Sequence, residues 1–392
     1  MINFQTVSQE IFLQDYWQKK PLLIKNAMPG FTAGIDADEL AGLAMEENIE
    51  SKLVYETPTQ SPQWHLKPGP FVEADFNSWP KTHWTLLVQG LDRIIPEVSH
   101  LLEHFNFLPQ WRVDDVMISV AAMQGSVGPH YDNYDVFLYQ ASGQRKWSLT
   151  TKNCHEENAL PGVDLRIMED FQVEQEIILN EGDMLYLPPH VGHHGISLTE
   201  NSIGYSFGYR SYQSQELWDS FADYLSETKD KTHLYNDPNW KDLNATSEIP
   251  KSAYLNAKEV MLELLNDEKK LQQWFSRFAT QLDQSAVQLL TDPLTCEETS
   301  NLLTFIETVK ETEQFVRELT SRIAYHFDDK YKIQLFINGE TFDHQNACDD
   351  LVKIIACHRI VKRKTLMPFL KNTNNQTFLY ELWKQQFLIF GE

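Results

Sequence analysis

Residues 128–147 read GPHYDNYDVFLYQASGQRKW, and the fold turns on how the first five letters are taken. Gly125, Gly128 and Pro129 mark a turn entering a strand, and the apolar run Val136, Phe137, Leu138, Tyr139 continues beyond it. His130 and Asp132 therefore stand at a strand mouth. In an extended strand residues two apart point the same way, with Cα atoms roughly 6.5–7 Å apart, so this imidazole and carboxylate converge on one point. A second histidine from elsewhere would complete a 2-His-1-carboxylate facial triad, the donor set that holds non-haem Fe(II) with coordination positions left open. H-x-D alone is a frequent accident; its weight here comes from the turn before it and the strand after it.

The next informative stretch, residues 181–194, reads EGDMLYLPPHVGHH: a turn, a buried strand, a double proline and three histidines within five residues. His193 follows His130 by 63 positions, a separation that lets two strands of one barrel bring their ends together. The residues alone leave His190, His193 and His194 open as the third donor, and without the upstream H-x-D the cluster reads as a polar loop. Between residues 116 and 210 six short strands are predicted, at 116–122, 130–140, 146–150, 175–179, 183–187 and 202–209. Short strands at this spacing predict an antiparallel sandwich or barrel. Ser119 is the only hydroxyl in the strand VMISVAA, either satisfied by a neighbour or facing a ligand pocket.

Upstream, residues 8–17 read as a short helix capped by Ser8, with Ile11, Phe12 and Tyr16 on one face, followed by a strand at 22–24. A helix is predicted at 36–47, where Glu39 lies three residues after Asp36 and makes it, rather than Asp38, the better cap. Pro58, Pro62, Pro68, Gly69 and Pro70 break residues 52–75 into short extended pieces. A buried strand is predicted at 84–88 and a helical segment near 95–105.

Downstream of Arg210 the pattern turns helical, with stripes through Leu217, Phe221, Tyr224, Leu225, through Val260, Met261, Leu264, Leu265, and through Leu271, Trp274, Phe275, Phe278. Residues 297–392 read as a small separate domain with helices at 302–309, 315–327 and 349–358. Asn338-Gly339 after the strand 333–337 is a strong hairpin signal, and one hairpin among helices predicts a winged-helix-like fold. A basic cluster, Arg359, Lys362, Arg363 and Lys364, invites a DNA-binding reading, but 12 Lys and Arg against 14 Asp and Glu give the domain no basic footprint.

The 392 residues suffice for two or three domains, and 42% hydrophobic content supports a globular protein. No apolar run approaches a membrane span, and the first residues lack the pattern of a signal peptide, so the expected location is the cytoplasm, with no membrane partner. Cys154, Cys296, Cys348 and Cys357 are too scattered for a disulfide framework or a zinc knuckle. The net charge of −23 repels phosphate backbones, so no direct nucleic-acid partner is expected. Residues 1–296 carry 42 Asp and Glu against 21 Lys and Arg, so a macromolecule meeting the catalytic part should be basic.

Taken together, GPHYDNYDVF, EGDMLYLPP followed four residues later by histidine, WTLLVQ and WRVDDVMIS resemble the JmjC-type ribosomal oxygenases, specifically the bacterial ribosomal protein arginine hydroxylases. The resemblance runs from Phe12 to about Leu225. It implies an α+β chain: a double-stranded β-helix, jelly-roll or cupin-like JmjC domain over 1–210, a helical dimerisation region over 211–285 and the winged-helix-like domain over 297–392. In that family three residues separate the prolines from the metal histidine, which selects His193, so His130, Asp132 and His193 would hold Fe(II). It also implies that Arg145 and Ser119 bind 2-oxoglutarate, with O2 the other co-substrate, a role for which the planar guanidinium fork is suited.

The implied reaction is hydroxylation of the β-carbon of an arginine in the large-subunit ribosomal protein L-sixteen, by a homodimer. Tyr134, Asp135 and Tyr139 are candidates for gripping that arginine. Two alternatives stand beside it: hydroxylation or demethylation of another basic protein, and a non-enzymatic ligand sensor whose C-terminal domain binds DNA.

Overall fold

The computed structural model describes every residue except 6, 32–33, 60–62, 164, 229–233, 239–245 and 392. Pro62, one of the breaking prolines, therefore lies outside the described residues. The first twelve strands are β1 (Leu22–Ile24), β2 (Ser51–Glu56), β3 (Trp64–Pro68), β4 (Trp84–Val88), β5 (Val113–Ala121), β6 (His130–Tyr131), β7 (Asp135–Ser142), β8 (Arg145–Thr150), β9 (Gln175–Leu179), β10 (Met184–Leu187), β11 (Gly192–Ser197) and β12 (Ser202–Tyr209). Eight form an antiparallel sheet in the order β1-β10-β7-β12-β5-β4-β2-β3, and the other four form a second sheet, β6-β11-β8-β9. The two pack face to face, Val136, Leu185 and Leu187 of the large sheet against Trp147, Leu149, Ile177 and Leu179 of the small one. This is the double-stranded β-helix.

Strand alternation explains the layers. Val116, Ile118 and Val120 of β5 enter a core behind the large sheet with Phe137, Tyr139, Tyr205 and Phe207. The N-terminal helices cover that core: Phe12 is fully buried against Phe137 and Tyr186. Ser8 caps its helix by accepting from the Ile11 amide, and Asp36 and Glu39 form a reciprocal capping box at Ala37–Leu43.

β11 has no counterpart among the six predicted strands. Its sequence GHHGIS has weak strand propensity, and its conformation is set by ladders to β6 and β8 on either side.

Helices Ser214–Thr228, Lys251–Leu265 and Glu268–Thr280 merge their apolar stripes into one cluster around Phe221, Trp274 and Phe278. The C-terminal unit has its own core, built on helices Leu302–Glu311, Asp349–Cys357 and Thr373–Lys384. The helix expected at 315–327 is instead β13 (Gln314–Arg317) and β14 (Ile323–Phe327). Phe315, Val316, Ile323 and Tyr325 fit either period, and pairing decides. β14 ladders onto β15 (Ile333–Ile337), which turns through Asn338-Gly339 into β16 (Glu340–Phe342). β17 (Ile360–Lys362) and β18 (Leu388–Gly391) flank β13. Arg359, read as part of a basic cluster, is buried: its guanidinium bonds Ser99 at 3.0 Å, against the barrel.

Candidate active site

His130 and His193 stand directly opposite each other in the β6–β11 ladder, their ring centroids 4.2 Å apart. Each is oriented from behind by main chain: His130 Nδ1 lies 2.9 Å from the Gly128 carbonyl, and His193 Nδ1 3.0 Å from that of Val191. A carbonyl only accepts, so both Nδ1 atoms carry the proton and both Nε2 lone pairs are free to bind an ion. His193 Nε2 is 3.6 Å from Asp132 Oδ2, and the ligating atoms of His130, Asp132 and His193 all lie within 4.8 Å of one another. Burial, helped by neighbouring His130, pushes His193 down to about 4, so it is neutral at physiological pH. Two imidazoles and one carboxylate on one side of a point suit an ion that keeps open positions.

The turn before His130 needs its glycine. Gly128 has φ +84°, and a Cβ there would lie 2.9 Å from Ile167 Cδ1.

Deeper in the barrel, Arg145 is half-buried, and its Nε and Nη2 are shielded from solvent with no hydrogen-bond partner among the described residues. Burial lowers this guanidinium to about 10. Gly204 of β12 leaves a space beside it: a Cβ built there would lie 3.5 Å from Ser119 Oγ and 3.6 Å from Arg145 Nη1. A hydroxyl and an unsatisfied cation thus face one small volume, which fits a carboxylate. Trp147 bridges this end to the histidines, its ring centroid 5.9 Å from Arg145 Cζ and 5.7 Å from the His193 ring centroid.

Tyr134, two residues after Asp132, lines a cleft of about 540 Å³ with Asp115, Asp114, Glu50, Asp283, Arg93 and Arg210, among others. Tyr134, 40% exposed as a residue, joins the two regions, because its phenol donates to Asp132; the protein around the phenol and that carboxylate hold it well above its usual range. Asp115 is raised to about 7 by burial and by Asp92 and Asp114.

Of the other histidines, His190 is exposed in the turn before β11, and His194 points to the opposite face, between Trp64 and Phe171. Only Tyr134 of the three proposed gripping residues reaches the cleft. Asp135 lies fully buried behind the sheet, bonded to Tyr186 at 2.6 Å, Gln18 at 3.1 Å and Arg112 at 3.2 Å. Tyr139 packs edge-on against Phe31 in the same rear core. Both lie an odd number of steps from Tyr134 along the chain, and alternation in β7 turns them away. Asp115 was missed because the predicted strand started at Val116; β5 begins at Val113, which puts Asp115 four residues before Ser119 on the same face.

Residues 100–217 match the JmjC domain family, and residues 263–389 match the ROXA-like winged helix. The chain is 35% identical over 353 residues to the ribosomal protein uL16 3-hydroxylase of Escherichia coli, covering 90% of each. It is 37% identical over 218 residues to a probable ribosomal oxygenase of Haemophilus influenzae, covering 55% of this chain and 53% of the relative. A solved structure of the Escherichia coli ribosomal oxygenase YcfD in complex with cobalt and 2-oxoglutarate matches with a TM-score of 0.81 at 29% identity, over 99% of each chain.

Proposed function

This chain belongs to the JmjC-type ribosomal oxygenases, and on that premise we propose that it is a Fe(II)- and 2-oxoglutarate-dependent hydroxylase of the β-carbon of an arginine in ribosomal protein uL16. The observation that carries the chemistry is the convergence of His130, Asp132 and His193 at one end of a barrel whose other end holds the unsatisfied Arg145. His130, Asp132 and His193 hold the iron; Arg145 and Ser119 hold the distal carboxylate of 2-oxoglutarate. Bound together, Fe(II), 2-oxoglutarate and O2 supply oxidative decarboxylation to succinate and CO2 with insertion of the second oxygen atom into an unactivated C–H bond. The protein's part is orientation. The two backbone carbonyls fix the histidine tautomers, Tyr134 steadies the Asp132 carboxylate, and Trp147 walls the space between the two ends.

The substrate's basic side chain enters beside Tyr134, where Glu50 and Asp115 leave the cleft acidic on balance, Asp283 and Asp114 being paired with Arg93 and Arg210. An arginine suits it, since a carboxylate and a guanidinium pair through two parallel hydrogen bonds. Trp218, Tyr254, Leu255 and Met261 stand exposed on the helices Ser214–Thr228 and Lys251–Leu265, which supports a homodimer through this region, to be checked by molar mass in solution. No helix among the described residues is long and apolar enough to cross a membrane, and a ribosomal substrate supports a cytoplasmic location.

The test is incubation with Fe(II), 2-oxoglutarate and uL16 peptides, read by mass spectrometry. One added oxygen atom on an arginine is expected. Iron-loaded protein that oxidises no arginine-bearing ribosomal peptide would sink the substrate assignment.

A further inference from the structure

We infer that the C-terminal domain completes the acidic substrate cleft of the barrel by supplying Arg322 as a positioning residue for its wall; the inference rests on reading that cleft as the seat of a basic side chain. Arg322 immediately precedes β14, 208 residues along the chain from the aspartate it reaches. Its Nη2 donates to the Asp114 carbonyl at 3.1 Å and lies 3.7 Å from Asp114 Oδ1. Two further guanidinium groups meet on the same residue: Arg93 Nη2 donates to that carbonyl at 3.1 Å, and Arg210 Nε to the carboxylate at 3.0 Å. Both polar ends of Asp114 are thereby pinned, and Asp114 is joined by one peptide bond to Asp115, which lines the cleft with Tyr134.

Three features argue that the contact does more than dock one domain on another. A carbonyl needs one donor, and a neutral side chain would satisfy it without burying a charge. Arg322 instead is 11% exposed, with an Nη1 that has no partner among the described residues, and burial lowers it to about 10. Its main chain is also clamped: the Arg322 amide donates to Asn338 Oδ1 at 2.8 Å, and the Asn338 amide returns to the Arg322 carbonyl at 3.0 Å. The Asn338-Gly339 turn is itself tied to the helix Glu268–Thr280 through Thr280 Oγ1. Finally, Asp92, Asp114 and Asp115 crowd together, and a third cation on Asp114 eases the repulsion from its side, while Arg93 and the Gly90 amide act on the Asp115 carboxylate itself.

The test uses the full chain with Fe(II) and 2-oxoglutarate under nitrogen, measuring anisotropy of a fluorescein-labelled, arginine-bearing uL16 peptide, and then KM values in air. Arg322→Ala is expected to weaken peptide binding and raise peptide KM by about tenfold while leaving the KM for 2-oxoglutarate within about twofold. Arg322→Lys should recover most of the loss. His358→Ala, which cuts a contact between the C-terminal domain and Glu103 of the barrel away from Asp114, should leave both parameters within about twofold.

Peptide affinity unchanged in Arg322→Ala, both KM values moving together, or His358→Ala copying Arg322→Ala would each overturn the inference. If Arg322→Ala does not fold, Arg322→Gln, which keeps a donor for the carbonyl without the charge, is judged by the same criteria. Wild-type protein that binds the peptide without oxidising it defeats the functional reading and leaves the cleft inference standing on the affinities. Wild-type protein that binds no basic peptide defeats the cleft reading and this inference together.

Discussion

On β5, Val116, Ile118 and Val120 face an aromatic core behind the large sheet, whereas Asp115 and Ser119 face the space in front of it. β7 divides the same way at its start: Tyr134 reaches the cleft, and Asp135 and Phe137 turn back. The rear places a buried charge only with partners, three of them on Asp135. The front leaves two nitrogens of the Arg145 guanidinium bare and a glycine, Gly204, where a side chain would fill the space. One set of strands thus keeps stability on one face and readiness for ligands on the other. Stability and activity should therefore separate by face.

The largest separation is expected between Asp132→Ala and Phe137→Ala. Asp132→Ala removes a metal donor from a part-exposed position, so turnover should fall below detection while stability changes by less than about 1 kcal/mol. Phe137 is fully buried and meets Phe12, Trp17, Phe105, Tyr186 and Tyr209 within 6.3 Å between ring centroids. Its truncation to alanine should cost roughly 3–5 kcal/mol. The protein that remains folded should still bind 2-oxoglutarate with its normal affinity. Denaturant titration beside single-turnover assays reads both numbers, and a Phe137→Ala protein that is stable but inactive would erase the division.

Arg145→Ala sharpens the comparison because stability and function should move in opposite directions. Losing charged hydrogen bonds to a carboxylate should raise the KM for 2-oxoglutarate by roughly ten- to a hundredfold. Without ligand, however, the wild-type cation is shielded from solvent and incompletely paired, and its removal should leave the melting temperature of the free protein equal or higher. An unchanged KM would move the carboxylate site away from Arg145. A large drop in melting temperature would mean the guanidinium serves the fold.

The rear face was the more legible in sequence. Its elements announce themselves by periodicity and caps: the strand Trp84–Val88 falls on its predicted limits, and the Asp36–Glu39 capping box is present as expected. The front was legible where chemistry is local, as in His130 and Asp132, which lie two apart on a chain entering a strand. It was obscure where two strands share the work. GHHGIS becomes β11 only because β6 and β8 hold it, so the choice of His193 over His190 and His194 came from family resemblance, not from periodicity. The contact of Arg322 with Asp114 is beyond any local pattern, as is the conversion of residues 315–327 from an apparent helix into two strands in separate sheets.

Asp115 offers the smallest effect and the finest test, since it is a front-face carboxylate that no front-face ligand yet neutralises. Asp92, Asp114, Arg93 and the Gly90 amide surround it, and burial with the two carboxylates outweighs the cation and the hydrogen bond, giving a value of about 7. The sign for stability follows: between about pH 4 and 7 the folded chain keeps a proton that the unfolded chain has released, so this group's contribution is fully present below pH 4 and is lost as pH rises to 7. For binding the sign is reversed. A guanidinium needs the ionised form, whose fraction grows about tenfold between pH 6 and 8 for a group titrating at 7. Peptide KM should fall by about that factor over the interval, while the KM for 2-oxoglutarate, which depends on Arg145, stays level. Asp115→Asn should bind peptide weakly at every pH and lose the slope. A slope that survives in Asp115→Asn would assign the titration to another group in the cleft, with Asp114 and Asp92 the next to be replaced.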